Sequence, residues 1–74
     1  MKLYFGKVQG NRYVIEINRT GDPVANRHEV DLKVVDSDSD CIYSITRQFS
    51  DNWGKWTDDA LKRSVLNEYK EDME

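Results

Sequence analysis

Asp36-Ser37-Asp38-Ser39-Asp40 is the densest run of metal-ligand types in the chain. Carboxylates at alternate positions open a calcium loop, but such a loop then needs glycine at its sixth position and a bidentate glutamate at its twelfth. Cys41 and Arg47 stand there instead, so the segment reads as a polar hairpin loop with no metal assigned. Cys41 and His28, each the sole residue of its type, form a nucleophile and base only if the fold brings them together. Neither has the helix-start or glycine-rich surroundings that tune a thiol. Cys41, in phase with Tyr43 and Ile45, is expected to be a small apolar filler, and His28, at the start of a strand, to be exposed. No two carboxylates have the spacing of an acid–base pair, and Gly6, Gly10, Gly21 and Gly54 are isolated, so no glycine-rich phosphate cradle forms. The chain is read as a non-enzyme without cofactor.

The residues best suited to recognition are aromatic. Trp53 and Trp56 sit three apart in the polar stretch 50–55, where a tryptophan either closes the seam between two elements or anchors a partner. Trp56 is expected at the seam, while Trp53 is kept as a candidate contact.

At 74 residues, with 38% apolar and 34% charged, the chain is expected to form one domain, residues 1–74. Its core lies near the lower limit for folding without a staple. One cysteine excludes an internal disulfide, and one histidine excludes a Cys/His metal cluster. Association with a second copy or a larger protein is the remaining support. No apolar leader core opens the chain and no run approaches the ~20 apolar residues of a membrane span. Together with the lone cysteine, this points to a cytoplasmic protein.

The elements follow from hydrophobic rhythm. Leu3–Val8 and Tyr13–Asn18 flank Gly10-Asn11, predicting a hairpin over residues 2–18 with a two-residue loop. That loop would pair Val8 with Tyr13, Gly6 with Ile15 and Tyr4 with Ile17, leaving Leu3, Phe5 and Val14 on the opposite face. A three-residue loop would instead turn Leu3 and Phe5 inward. Strands are predicted at about 28–35 and 41–49, with Val30, Leu32, Val34 and Ile45 facing inward. Beyond Trp56 the period changes to that of a helix: Leu61, Val65, Tyr69 and Met73, with Leu66, make one stripe over about 58–72. Thr57 is its N-cap, Asp58 and Asp59 complement the positive helix end, and Trp56 and Leu61 have hydrophobic-staple spacing. The predicted fold is α+β: three or four antiparallel strands with one C-terminal helix on one face.

Charge narrows the partner. The net charge is −3, with six Lys/Arg against four Asp/Glu in residues 1–35 and five against ten in 36–74. That is not the basic field that neutralises phosphates. A small sheet-face DNA-binding accessory protein, built around Lys7, Arg12 and Lys33, is therefore the alternative, as is a regulatory or assembly subunit of a larger complex. The leading reading is a non-catalytic protein–protein interaction module. Its contacts would come from Leu3, Phe5, Val14 and Trp53, with Asp36, Asp38 and Asp40 as an acidic rim. In size, acidity and sheet-plus-helix layout the chain resembles the small inhibitors that bacteriophages encode against host machinery, anti-CRISPR proteins among them. That resemblance rests on no shared motif, and it implies host cytoplasm as the location.

Overall fold

A computed structural model describes residues 2–20, 26–51 and 56–73. Four strands, β1 (Lys2–Val8), β2 (Asn11–Thr20), β3 (Asn26–Val35) and β4 (Cys41–Asp51), precede one helix, α1 (Asp58–Asp72). The strands form an antiparallel sheet in the order β1-β2-β3-β4, each pairing with its neighbour in sequence. The α+β architecture is as the hydrophobic rhythm predicts, with the sheet four-stranded.

The first hairpin has the expected loop length at a different place. Gln9 and Gly10, at φ 51° and 82°, make the two-residue turn, since two positive φ values match the right-handed twist of the flanking strands. Val8 therefore faces Asn11, Gly6 faces Tyr13, Tyr4 faces Ile15 and Phe5 faces Val14. This corrects the predicted partners by two residues. A slip of two leaves every side chain on its predicted face. Gly6 is also needed for space: a Cβ there would lie 2.5 Å from the Tyr13 hydroxyl and 2.6 Å from Cζ, because the Tyr13 ring lies over it.

The inner face reads in rows across the sheet. Tyr4, Ile15, Leu32 and Ile45 form the central row, with Gly6, Tyr13, Val34 and Tyr43 on one side and Ile17 and Val30 on the other. Leu61, Val65 and Tyr69 of α1 cover these rows, and together with Ile15, Ile17, Val30, Leu32 and Val34 they are fully buried. Thr57 caps the helix, its side chain accepting from the Ala60 amide at 3.1 Å. Trp56 packs on the core with its ring 4.8 Å from that of Phe49, the seam position expected for it.

Three expectations need correction. Ile45 is half-buried rather than fully buried, because it lies on the edge strand. His28 is buried, because β3 begins at Asn26 and His28 falls on the inward phase between Arg19 and Phe49. Cys41 is exposed, because the register shifts between Val34 and Val35 so that Val34 faces Tyr43 but Val35 faces Cys41. The added residue breaks the alternation that had placed Cys41 inside.

The helix is tied to the sheet at both ends. At its start, Asp58 accepts from the Tyr4 hydroxyl and the Arg19 guanidinium and lies 3.3 Å from Lys2 Nζ. At its end, Arg47 Nε donates to both Glu68 oxygens at 2.9 and 3.0 Å, and the Tyr43 hydroxyl donates to Asp72.

Candidate interaction surface

The sheet's outer face is the side α1 does not touch, and its residues follow from pairing. One row runs Phe5, Val14, Lys33, Ser44; the next runs Leu3, Glu16, Asp31, Thr46. On the far side of the Phe5 row lie Lys7, Arg12 and Val35, and beyond the Leu3 row lie Asn18, Glu29 and Gln48. The edge strand β1 thus carries two large, exposed apolar side chains on the face away from α1: Phe5 is 75% exposed and Leu3 51%. Val14 and Val35 are half-buried, and with Phe5, Arg12, Tyr13 and Lys33 they line a shallow depression of about 250 Å³. The predicted trio Leu3, Phe5 and Val14 is therefore brought together on one surface.

The charges on this face are segregated. Lys7, Arg12 and Lys33 cluster at the end nearest the Gln9-Gly10 turn, and Glu16, Asp31 and Glu29 occupy the next two rows. The cation cluster anticipated from sequence exists, with an acidic block directly beside it. Some of these groups are engaged within the chain: Arg12 Nη2 donates to Ser39 Oγ at 3.0 Å, and Thr46 Oγ1 donates to Asp31 Oδ1 at 2.6 Å.

The acidic loop does not present three equivalent carboxylates. Asp36 is half-buried, and its Oδ1 accepts the backbone amides of Asp38 and Asp40 at 2.9 and 3.0 Å. It closes its own loop, with Ser39 in the left-handed region at φ 65°. Asp38 and Asp40 are exposed. Among the described residues, no group of three or more His, Cys, Asp or Glu side chains is arranged to hold a metal ion.

Cys41 and His28 are kept apart. Cys41 faces Val35 at one end of the sheet, while His28 faces Arg19 and Phe49 at the other, with Nδ1 3.3 Å from Arg19 Nη1. Trp53, the remaining candidate contact, lies outside the described residues.

Sequence reasoning missed one site, the convergence on Asp58. The Arg19 guanidinium, then the Tyr4 hydroxyl and Lys2, hold this carboxyl well below the usual carboxylate range. Read locally, Asp58 is only a favourable charge at a helix start. Its partners lie 39 to 56 residues away, beyond any local pattern. Among the described residues no helix is long and apolar enough to cross a membrane. Compared with known families, curated proteins and solved structures, the chain matches none.

Proposed function

We propose that this protein is a non-catalytic protein-binding module whose docking surface is the outer sheet face around Phe5, Leu3 and Val14. The observation that carries the reading is the exposure of Phe5, 75% in a chain with only two phenylalanines. An aromatic side chain of that area, flanked by Leu3 and Val14 and ringed by polar groups, has the anatomy of an interface anchor. Covering it in a desolvated centre is worth ~2 kcal/mol or more. The segregated charges around it would orient an incoming partner and speed encounter more than they would slow release.

The test is Phe5→Ser. Phe5 lies on the outer face and is mostly exposed, so the variant is expected to keep the wild-type circular dichroism and melting temperature while losing partners captured by immobilised wild-type protein from lysate. An unchanged set of captured proteins overturns the reading. Loss of folding in Phe5→Ser would also overturn it, since the side chain would then be serving the fold.

One observation favours a second reading, sheet-face binding to DNA: Lys7, Arg12 and Lys33 share one end of the face. Against it, Glu16, Asp31 and Glu29 fill the adjacent rows, where a duplex would bring its phosphates. Titration of labelled duplex separates the two readings. Phosphate neutralisation produces a slope near −0.9 per contact in log affinity against log salt, whereas a protein docking face leaves the duplex unbound.

A further inference from the structure

We infer that the partner of this surface is a second copy of the chain, joined edge to edge through β1 about a two-fold axis at Phe5. The inference rests on the reading of the outer face as a docking surface and says what occupies it.

The edge itself is the starting point. β1 is an outer strand of the sheet, seven residues long, paired with β2 without interruption. It has no proline, and no bulge turns it from solvent. In a hairpin with a two-residue turn, the pair flanking the turn is hydrogen-bonded and bonding alternates from there. Val8 faces Asn11 at that position, so Val8, Gly6, Tyr4 and Lys2 direct their backbone groups to β2. Leu3, Phe5 and Lys7 direct theirs outward. A strand edge of this kind is a template for another strand. The opposite edge, β4, is less regular because of the register shift at Val34 and Val35.

The sequence of β1 then selects the occupant. Antiparallel pairing centred on Phe5 engages all seven residues, sets Phe5 beside Phe5 of the second copy, and sets Leu3 beside the second copy's Lys7. On the inner face Tyr4 of one copy comes beside Gly6 of the other, where the Tyr13 ring lies, so the two aromatic side chains meet there. Across the joined sheet the central row becomes Val14, Phe5, Phe5, Val14, an apolar strip made from two halves that are each exposed alone. The neighbouring rows become complementary: Arg12 and Lys7 of one copy continue into Leu3, Glu16 and Asp31 of the other. Lys7 then stands two strand spacings, about 10 Å, from the second copy's Glu16, within side-chain reach. In its own chain Glu16 is about 14 Å away, one strand over and four residues along. Face-to-face stacking, by contrast, would bury the charges of these rows together, which is costly unless each is paired.

An edge contact with one aromatic centre gives a weak dimer, with a Kd on the order of 0.1 mM. Sedimentation equilibrium from about 10 μM to about 1 mM brackets that value. Wild-type protein is expected to pass from monomer to dimer over this range. Leu3→Pro, which removes an outward amide without touching the β2 ladder or Phe5, should remain folded and monomeric. Lys7→Glu should weaken association about tenfold, and Lys7→Glu combined with Glu16→Lys should restore it. Independently, the amides of Leu3, Phe5 and Lys7 should exchange with solvent rapidly when dilute and slowly when concentrated. A monomer at every concentration overturns the proposal and leaves the docking-face reading to its own test. A dimer that survives Leu3→Pro but is lost in Phe5→Ser overturns edge pairing while retaining the face. A dimer indifferent to both variants overturns the two together.

Discussion

Replacing Asp58 with Asn should destabilise the domain by about 1–2 kcal/mol at neutral pH. Asp58 holds three partners from two strands while sitting in the first turn of α1. Lys2 is 67% exposed and contributes little, since ion pairs in water are worth ~0–1 kcal/mol. Arg19 is 38% exposed against 19% for Asp58, so that pair is discounted to about 1 kcal/mol. The negative charge at the helix start adds ~0.3–1 kcal/mol. Tyr4 can still donate to the amide oxygen of Asn, so its bond is largely kept. For a domain this small, 1 kcal/mol lowers Tm by about 4–8 °C, so the variant should melt roughly 5–15 °C below wild type. The pH dependence is the sharper test. Because the folded carboxyl is held below its ordinary value, its stabilisation is present above the unfolded value of about 3.9 and is lost as pH falls through the folded one. Asn does not titrate, so the gap between wild type and variant should be constant near neutrality and shrink in acid. Thermal melts followed by circular dichroism across acid and neutral pH measure both. A gap of less than about 2 °C at neutral pH, or one that persists undiminished in acid, refutes the account of Asp58 as a charged tie.

Leu32→Ala removes a side chain with no exposed surface at the centre of the inner face; a loss of ~2–5 kcal/mol, read by urea denaturation, would take most of the stability of a 74-residue domain. Burial and the bond to Asp72 push Tyr43 up to about 12, so its stabilisation is complete below about pH 10 and is lost as pH rises through about 12. Tyr4 is raised as well, chiefly by its bond to Asp58, so phenolate absorbance should show a late-titrating component, and a single step near pH 10 for every tyrosine would contradict this. Millimolar calcium should leave Tm unchanged, because Asp36 Oδ1 already accepts two amides of its own loop; a rise of several degrees reversed by chelator would show a site there.

What could be read from the sequence was what local periodicity controls. Val30, Leu32 and Val34 alternate, Leu61, Val65 and Tyr69 recur on one helical face, and Thr57 precedes two aspartates; each behaves as its pattern implies. The face carrying Leu3, Phe5 and Val14 was legible for the same reason, since a slip of two residues does not change parity. The slip itself was not legible. Gln9-Gly10 and Gly10-Asn11 are both two-residue candidates, and the choice turned on Gln9 adopting a positive φ, which is uncommon for glutamine. The consequence is larger than the error, because only the observed register sets Lys7 beside Arg12 and Leu3 beside Glu16. His28 and Cys41 were misplaced at the ends of their strands, one by an early start and one by a bulge. Those are the positions at which alternation has the least sequence to support it.

The strictly sequential order of the strands also sets the route by which this molecule assembles. Each ladder joins neighbours in the chain, so the meander can zip from one turn to the next with only short loops to close. No such hairpin has a dry side of its own, and an isolated two-stranded ribbon is barely stable in water. The helix arrives last in sequence and supplies the cover for Ile15, Leu32 and Val30. Its first turn also reaches back to Lys2 and Tyr4 at the opposite end of the chain. Docking of α1 is therefore expected to be the step that completes the native domain, and its release to open the sheet as a whole. Slow exchange of helix and central-strand amides should then report the same opening, with no subset of strands outlasting the helix.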